Sequence, residues 1–189
     1  VAAAAVFIRL VVIPALTDHV YDGHEADYYD LFLGSRSPTR GGTVMVPGMQ
    51  WLWWGLGHIL PGLSMIPVLL MSLASVASIG LLAGSVGILS RRRAGWAAAM
   101  VLVVHPTHAL WSSSAYNVML PHLLGCLALF AVARIATRTG PLGGLPWMAA
   151  GAGALMVALR MDTATIAWPL VLIPLAVRPS GVSVSRRLL

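Results

Sequence analysis

Residues 64–89 read "SMIPVLLMSLASVASIGLLAGSVGIL", and three arginines, "RRR", follow at 91–93. The run contains no charged residue. It is longer than the stretch of about 20 apolar residues that lets a helix cross the hydrocarbon core of a membrane. The run therefore predicts a transmembrane helix, and the arginines mark the end at which that helix leaves the membrane.

The composition of the whole chain agrees with this prediction. Hydrophobic residues make up 58% of it, charged residues only 10%, and the mean hydropathy is +0.84. A typical soluble domain has about 25% charged residues, so this chain has too few charges to cover a soluble surface. Because helices satisfy their own backbone hydrogen bonds, we expect an all-α, polytopic transmembrane bundle.

Five further apolar segments bring the predicted number of spans to about six. They are residues 1–16, 95–111, 116–133, 145–160 and 164–177. We expect one transmembrane domain over residues 1–189. We interpret it as the N-terminal fragment of a longer chain, because it begins without Met and already within an apolar segment.

A further segment, residues 44–62, reads "VMVPGMQWLWWGLGHILPG" and is bounded by prolines. It predicts a short or re-entrant helix. Its tryptophans, Trp51, Trp53 and Trp54, are typical of a belt at the membrane–water interface.

The arginines predict how the bundle is oriented. The net charge of +6 comes from a chain whose twelve basic residues are all arginine. If the spans alternate, eight of them fall on one side: Arg91, Arg92, Arg93, Arg134, Arg138, Arg178, Arg186 and Arg187. The positive-inside rule assigns that side to the cytoplasm. The arginines thus form a topology signal instead of a nucleic-acid-binding patch, and we expect no nucleic-acid partner.

The opposite side then receives an acidic loop, residues 17–43. Five of the six carboxylates of the chain lie within it: Asp18, Asp22, Glu25, Asp27 and Asp30. The stretch "HEADYYDLFLG" has a weakly apolar side formed by Ala26, Tyr29, Leu31 and Phe32, which predicts a short helix on the membrane surface.

Three interpretations of this acidic loop are open. The acids can simply be solvated, outside the membrane. Alternatively, Asp22 and Glu25, three residues apart, can share one face of a helix, where one acts as a general base. A metal site would draw on Asp18, His19, Asp22, His24 and Glu25, but their spacing matches no known closed site. We therefore expect no dedicated metal or other cofactor, and a loosely bound divalent cation stays open.

The order of the motifs resembles a known family. The motifs are "IRL" at 8–10, "TDHVYDGHEADYY" at 17–29, the span that ends at "RRR", "HP" at 105–106 and "RMDT" at 160–163. This order resembles the N-terminal half of the GT-C membrane glycosyltransferases, in particular the branch of the protein O-mannosyltransferases and aminoarabinose transferases. The resemblance implies a GT-C-like bundle in a bacterial inner (plasma) membrane, with the acidic loop outside.

The resemblance also implies an activity. Such enzymes transfer a sugar, with inversion, from a polyprenyl-phosphate carrier in the membrane lipids to an acceptor protein, lipid or glycan. Glu25 occupies the place of the family's Glu, and Tyr28 or Tyr29 that of its Tyr. His24 stands where the family has Asp, so Asp22 is the second candidate for the catalytic carboxylate.

Several basic residues are further candidates for substrate binding. Arg36 and Arg40 can neutralise the lipid phosphate or serve as interfacial anchors. Arg160 can line the same cavity as the acidic loop or form a local ion pair with Asp162. Arg9 lies within a span, where a charge costs about 2.5–3.5 kcal/mol, so we expect it to face the bundle interior, for structural pairing or substrate contact.

Histidines near the predicted outer ends of the spans, His58, His105, His108 and His122, can line a cavity or pack at kinks. The alternative functions are a membrane transporter and a non-catalytic membrane subunit. A transporter is expected to place its polar groups at broken helices near the middle of the bilayer. Here the carboxylates lie outside the spans, which favours chemistry at the interface.

Overall fold

The computed structural model describes residues 2–12, 24–35, 37–38, 47–112, 118–138, 142–160 and 163–164. Its helices are α1 (Ala2–Phe7), which continues as a π-helix (Ile8–Val12), α2 (His24–Leu33), α3 (Pro47–Ile59), α4 (Ile66–Leu89), α5 (Arg92–Val104), α6 (Pro106–Trp111), α7 (Met119–Thr137) and α8 (Leu145–Leu159). Within these ranges there is no strand, and the prediction of an all-α fold is confirmed.

Two helices in the described ranges are long and apolar enough to cross a membrane. They are α4, with 24 residues, and α7, with 19. Only 44% and 39% of their most apolar windows are buried, and α4 exposes Leu69, Leu73 and Leu89. A helix in the core of a soluble protein is enclosed on all sides, whereas exposed apolar faces suit contact with lipid.

The other predicted spans are shorter in the structure or lie outside it. Helix α5 has 13 residues and α8 has 15, which is less than the length that crosses a bilayer unaided. The helix is interrupted at His105, between α5 and α6, because Pro106 cannot continue the helix before it. Residues 13–16 and 165–177 lie outside the described part, so the number of six spans stays a prediction.

Close helix contacts fix the order of the bundle. Helix α5 runs antiparallel to α4, and a Cβ added to Gly95 would overlap the carbonyl oxygen of Ala83. Helix α7 also packs against α4 and runs parallel to it, with the Phe130 ring 3.1 Å from the position of a Cβ at Gly84. Helix α8 in turn packs against α7. The helices therefore follow one another as α5, α4, α7 and α8.

The two ends of this bundle differ in charge. At one end, which we call the arginine end, lie Arg91, Arg92, Arg93, Arg134 and Arg138, all exposed. The opposite end, which we call the acidic end, is covered by α2 and α3. Their buried residues join those of α4 and α7 in one hydrophobic cluster.

The tryptophans of α3 do not all face outward as a belt would require. Trp51 is exposed, but Trp53 is 0% exposed and lies in the hydrophobic cluster of the acidic end. The cause is the helical period, since Trp53 shares a face with Met49 one turn earlier, which is buried as well. The predicted belt is therefore wrong for Trp53.

Candidate functional site

Helix α2 carries three acids of the acidic loop, Glu25, Asp27 and Asp30, which we call the acidic motif, and it is amphipathic. Tyr28, Leu31 and Phe32 recur at helical spacing and are buried, while Asp30 is exposed and Asp27 is half-buried. The sequence predicted an apolar side that includes Leu31 and Phe32, and this is confirmed. Tyr28 belongs to the same face, with 1% of its surface exposed.

This apolar face docks α2 onto the acidic end of the bundle. Phe32 meets the Trp53 ring edge-on, with 6.3 Å between the ring centroids. Met71 of α4 and Met119 of α7 belong to the same buried cluster. The contact of α2 with α3 is close, because a Cβ added to Gly57 would overlap the Phe32 backbone.

A hydrogen bond also ties α2 to the beginning of α4. The hydroxyl of Tyr29 donates to the carbonyl oxygen of Ser64 at 2.6 Å, two residues before α4 begins. Since the arginines follow the other end of α4, the acidic helix lies a full helix length away from them. At about 1.5 Å per residue, the 24 residues of α4 separate the two ends by roughly 36 Å.

The structure places the predicted site residues as follows. His24 and Glu25 belong to the first turn of α2, and their side chains lie outside the described part, as do Asp22, Arg36 and Arg40. Tyr28 is packed in the core, and the Tyr29 hydroxyl is engaged by Ser64.

Arg160 lies at the same end of the bundle as α2. It follows Leu159, the last residue of α8, which packs against the cluster that buries Tyr28. The beginning of α3 also reaches this point, because a Cβ at Gly48 would overlap the carbonyl of Ala158. The structure thus brings α2 and Arg160 to one end, while its described part leaves a pairing of Arg160 with Asp162 untested.

A second polar cluster lies inside the bundle and is centred on Arg9. Arg9 is 0% exposed, so the prediction that it faces the interior is confirmed. It sits in the π-helix, beside Ser75 of α4 and His108 of α6. No carboxylate is among its partners in the described part of the chain.

Arg9 instead stabilises the broken end of α5. Its Nη2 atom donates to the carbonyl oxygens of Leu102 and Val103 at 2.9 and 3.1 Å. These carbonyls end a helix, and Pro106 has no N–H to offer to Leu102. The guanidinium therefore replaces the missing backbone donors. Its charge also lies at the negative end of the helix dipole.

The same contact defines the state of His108. Its Nδ1 atom lies 3.2 Å from Arg9 Nη2. Because a guanidinium can only donate, a hydrogen bond here has Nδ1 as the acceptor and places the proton of a neutral ring on Nε2. Nη2 has two N–H groups for three acceptors, so one N–H is shared. Among the described residues, His108 Nε2 and Arg9 Nη1 have no hydrogen-bond partner.

The polar cluster continues from His108 toward α7. The His108 and His122 rings lie 5.1 Å apart in an edge-on arrangement, and His122 Nε2 lies 3.7 Å from Cys126 Sγ. In the described ranges, no group of three or more His, Cys, Asp or Glu residues could hold a metal ion. The acidic loop residues proposed as ligands, Asp18, His19 and Asp22, lie outside these ranges.

Sequence reasoning recognised Arg9 but missed its partners. The available signal was an arginine in one apolar segment and a proline that ends another. A buried arginine requires hydrogen-bond acceptors, and a helix that ends before a proline has carbonyl oxygens without backbone donors. The sequence did not show that these two segments, more than 90 residues apart, are neighbours in the bundle.

Comparisons with known proteins found no match for this chain. No protein-family model, no curated protein and no solved structure matches it. The relation to GT-C glycosyltransferases therefore remains a hypothesis that rests on the order of the motifs.

Proposed function

We propose that this chain belongs to a membrane glycosyltransferase that moves a sugar from a polyprenyl-phosphate carrier to an acceptor outside the cytoplasm. The observation that carries the proposal is the position of α2. A helix bearing the acidic motif is fixed to the end of the candidate spans that lies opposite the arginines. Carboxylates at such an end meet both a lipid phosphate at the interface and an acceptor from water.

In this mechanism the carboxylate of Asp22 or Glu25 accepts the proton of the acceptor hydroxyl. The acceptor oxygen attacks the anomeric carbon, and the carrier phosphate leaves with the electrons of the broken bond. Glu25 lies in the first turn of α2, where the helix dipole favours a negative charge.

The remaining predicted residues receive supporting roles. Tyr28 and Tyr29 hold α2 in place through packing and through the bond to Ser64. Arg160 lies at the same end of the bundle and is a candidate for binding the carrier phosphate. Arg36 and Arg40, which lie outside the described residues, are the other two candidates. His24, next to Glu25 in the first turn, is the candidate contact to the acceptor.

The test is transfer of a labelled sugar from polyprenyl-phosphate donors to a pool of acceptors, with the protein in its native membrane. We expect Asp22→Asn or Glu25→Gln to reduce transfer at least 100-fold, the lower range for loss of a general base. Asp30→Asn is the matched control, because Asp30 is an exposed acid of the same helix. If all three variants retain full transfer, the acidic motif is not catalytic.

A transporter is the second candidate, and one observation favours it. The buried pair of Arg9 and His108 lies where the helix breaks between α5 and α6, and broken helices with polar groups are typical of transporter binding sites. Uptake of a solute by vesicles, abolished by His108→Asn and unaffected by Glu25→Gln, would favour this alternative over glycosyl transfer.

A further inference from the structure

A groove of about 290 Å³ lies between α4 and α5 at the arginine end. Three glycines, Gly84, Gly87 and Gly95, line it together with Arg92 and Trp96. The open space lies beside Gly87, because Gly84 and Gly95 are in close contact with the Phe130 ring and the Ala83 carbonyl. Its volume is just below the range of about 300–1,000 Å³ that is typical of small-molecule sites. The groove therefore suits one segment of a long, flexible ligand.

The surroundings of this groove are strongly basic. Arg91, Arg92 and Arg93 are exposed beside it, and Arg134 lies at the same end with its guanidinium 5.6 Å from the Phe130 ring centroid. The acidic residues in the described part of the chain all belong to α2, at the opposite end. The positive charge here is thus not compensated by the described residues, and it favours an anionic occupant.

We propose that this groove binds one acyl chain of an anionic phospholipid, whose phosphate contacts Arg92. An apolar groove with a cation at its mouth matches a molecule with a hydrocarbon tail and a negative headgroup. Exposed Trp96 suits the interface between the two, where tryptophan is enriched. Basic residues at the end of a span attract anionic lipids. The proposal depends on insertion into a membrane and not on glycosyl transfer.

The glycines offer a matched pair of variants. A Cβ at Gly87 has the Cα of Arg92 as its neighbour at 3.9 Å, an ordinary contact, so a side chain can begin there, and Gly87→Leu is the variant that fills the groove. A Cβ at Gly80 has nothing within 4 Å, and Gly80 does not line the groove. Gly80→Leu is therefore the control: it makes the same glycine-to-leucine change in helix propensity on α4 as Gly87→Leu, but it leaves the groove open.

The experiment measures quenching of Trp96 fluorescence by brominated lipid chains. The protein is placed in nanodiscs of phosphatidylcholine with a small fraction of brominated phosphatidylglycerol or brominated phosphatidylcholine. The contribution of Trp96 is the difference between each protein and its Trp96→Phe variant. We expect half-maximal quenching at a phosphatidylglycerol fraction roughly five-fold lower than that of phosphatidylcholine.

The variants separate the two parts of the site. Gly87→Leu should abolish the quenching by both lipids, whereas Gly80→Leu should leave it unchanged. Arg92→Gln, a change at an exposed position, should bring the five-fold preference close to one. Equal quenching by the two lipids in the wild type, or equal loss in both leucine variants, would overturn the proposal. So would quenching that falls when each disc holds two protein copies, because a second copy would then occupy the groove.

Discussion

Arg9 donates a hydrogen bond to the carbonyl oxygen of Val103, 94 residues away, at 3.1 Å. The bond joins the π-helix near the beginning of the chain to the last turns of α5. The buried Arg9 side chain thereby caps the C-terminal end of α5, the helix that Pro106 interrupts.

Replacing Arg9 should therefore destabilise the bundle. Arg9→Leu leaves the Leu102 and Val103 carbonyls without their side-chain donor, and each unsatisfied buried acceptor costs about 1–3 kcal/mol. We expect a loss of about 2–4 kcal/mol in the free energy of unfolding, measured by thermal unfolding in detergent.

Arg134→Leu is the control for this change. Arg134 is an exposed arginine near the end of α7, and its removal should alter the unfolding free energy by less than about 0.5 kcal/mol. Equal effects of the two substitutions would contradict the role assigned to Arg9.

Two buried serines of α4 provide a finer test of the same cluster. Ser75 accepts a hydrogen bond from Arg9 Nε at 3.2 Å, whereas among the described residues Ser85 bonds only to the Leu81 carbonyl of its own helix. Both are 0% exposed. Ser75→Ala should lower the free energy of unfolding by about 1 kcal/mol, and Ser85→Ala should be close to neutral. Chemical unfolding of both variants checks this, and a larger loss for Ser85→Ala would refute it.

The docking of α2 can be tested through two glycines of α3. A Cβ at Gly57 would overlap the Phe32 backbone, while a Cβ at Gly55 has nothing within 4 Å. Gly57→Ala should separate α2 from α3 and cost about 1–3 kcal/mol. Gly55→Ala should stabilise α3 by about 0.5–1 kcal/mol.

Amide hydrogen exchange over residues 24–33 measures the effect on α2 directly. We expect faster exchange in Gly57→Ala and unchanged exchange in Gly55→Ala. Unchanged exchange in both would mean that α2 is not held by α3.

The sequence predicted the parts of this fold that depend on local pattern. The uncharged run at 64–89 predicted α4, and the spacing of Leu31 and Phe32 predicted the apolar side of α2. The inward orientation of Arg9 followed from the cost of a charge among apolar residues.

What could not be predicted depends on neighbours that are distant in the chain. The helical period places Trp53 on a different face from Trp51, but which face of α3 is buried depends on the packing of α2 and the bundle against it. In the same way, a buried arginine requires hydrogen-bond acceptors, but the sequence around Arg9 does not predict that they are His108 and the carbonyls of α5.

The central claim of our account is that α2 and the arginine end lie on opposite faces of a membrane. Single cysteines test it, in a Cys126→Ala background that removes the one native thiol. Asp30→Cys marks α2 and Arg93→Cys marks the arginine end, both at exposed positions. The readout is labelling of intact cells by a maleimide that cannot cross membranes. Our account predicts that Asp30→Cys is labelled in intact cells and that Arg93→Cys is labelled only after permeabilisation. Labelling of both from the same side would contradict it.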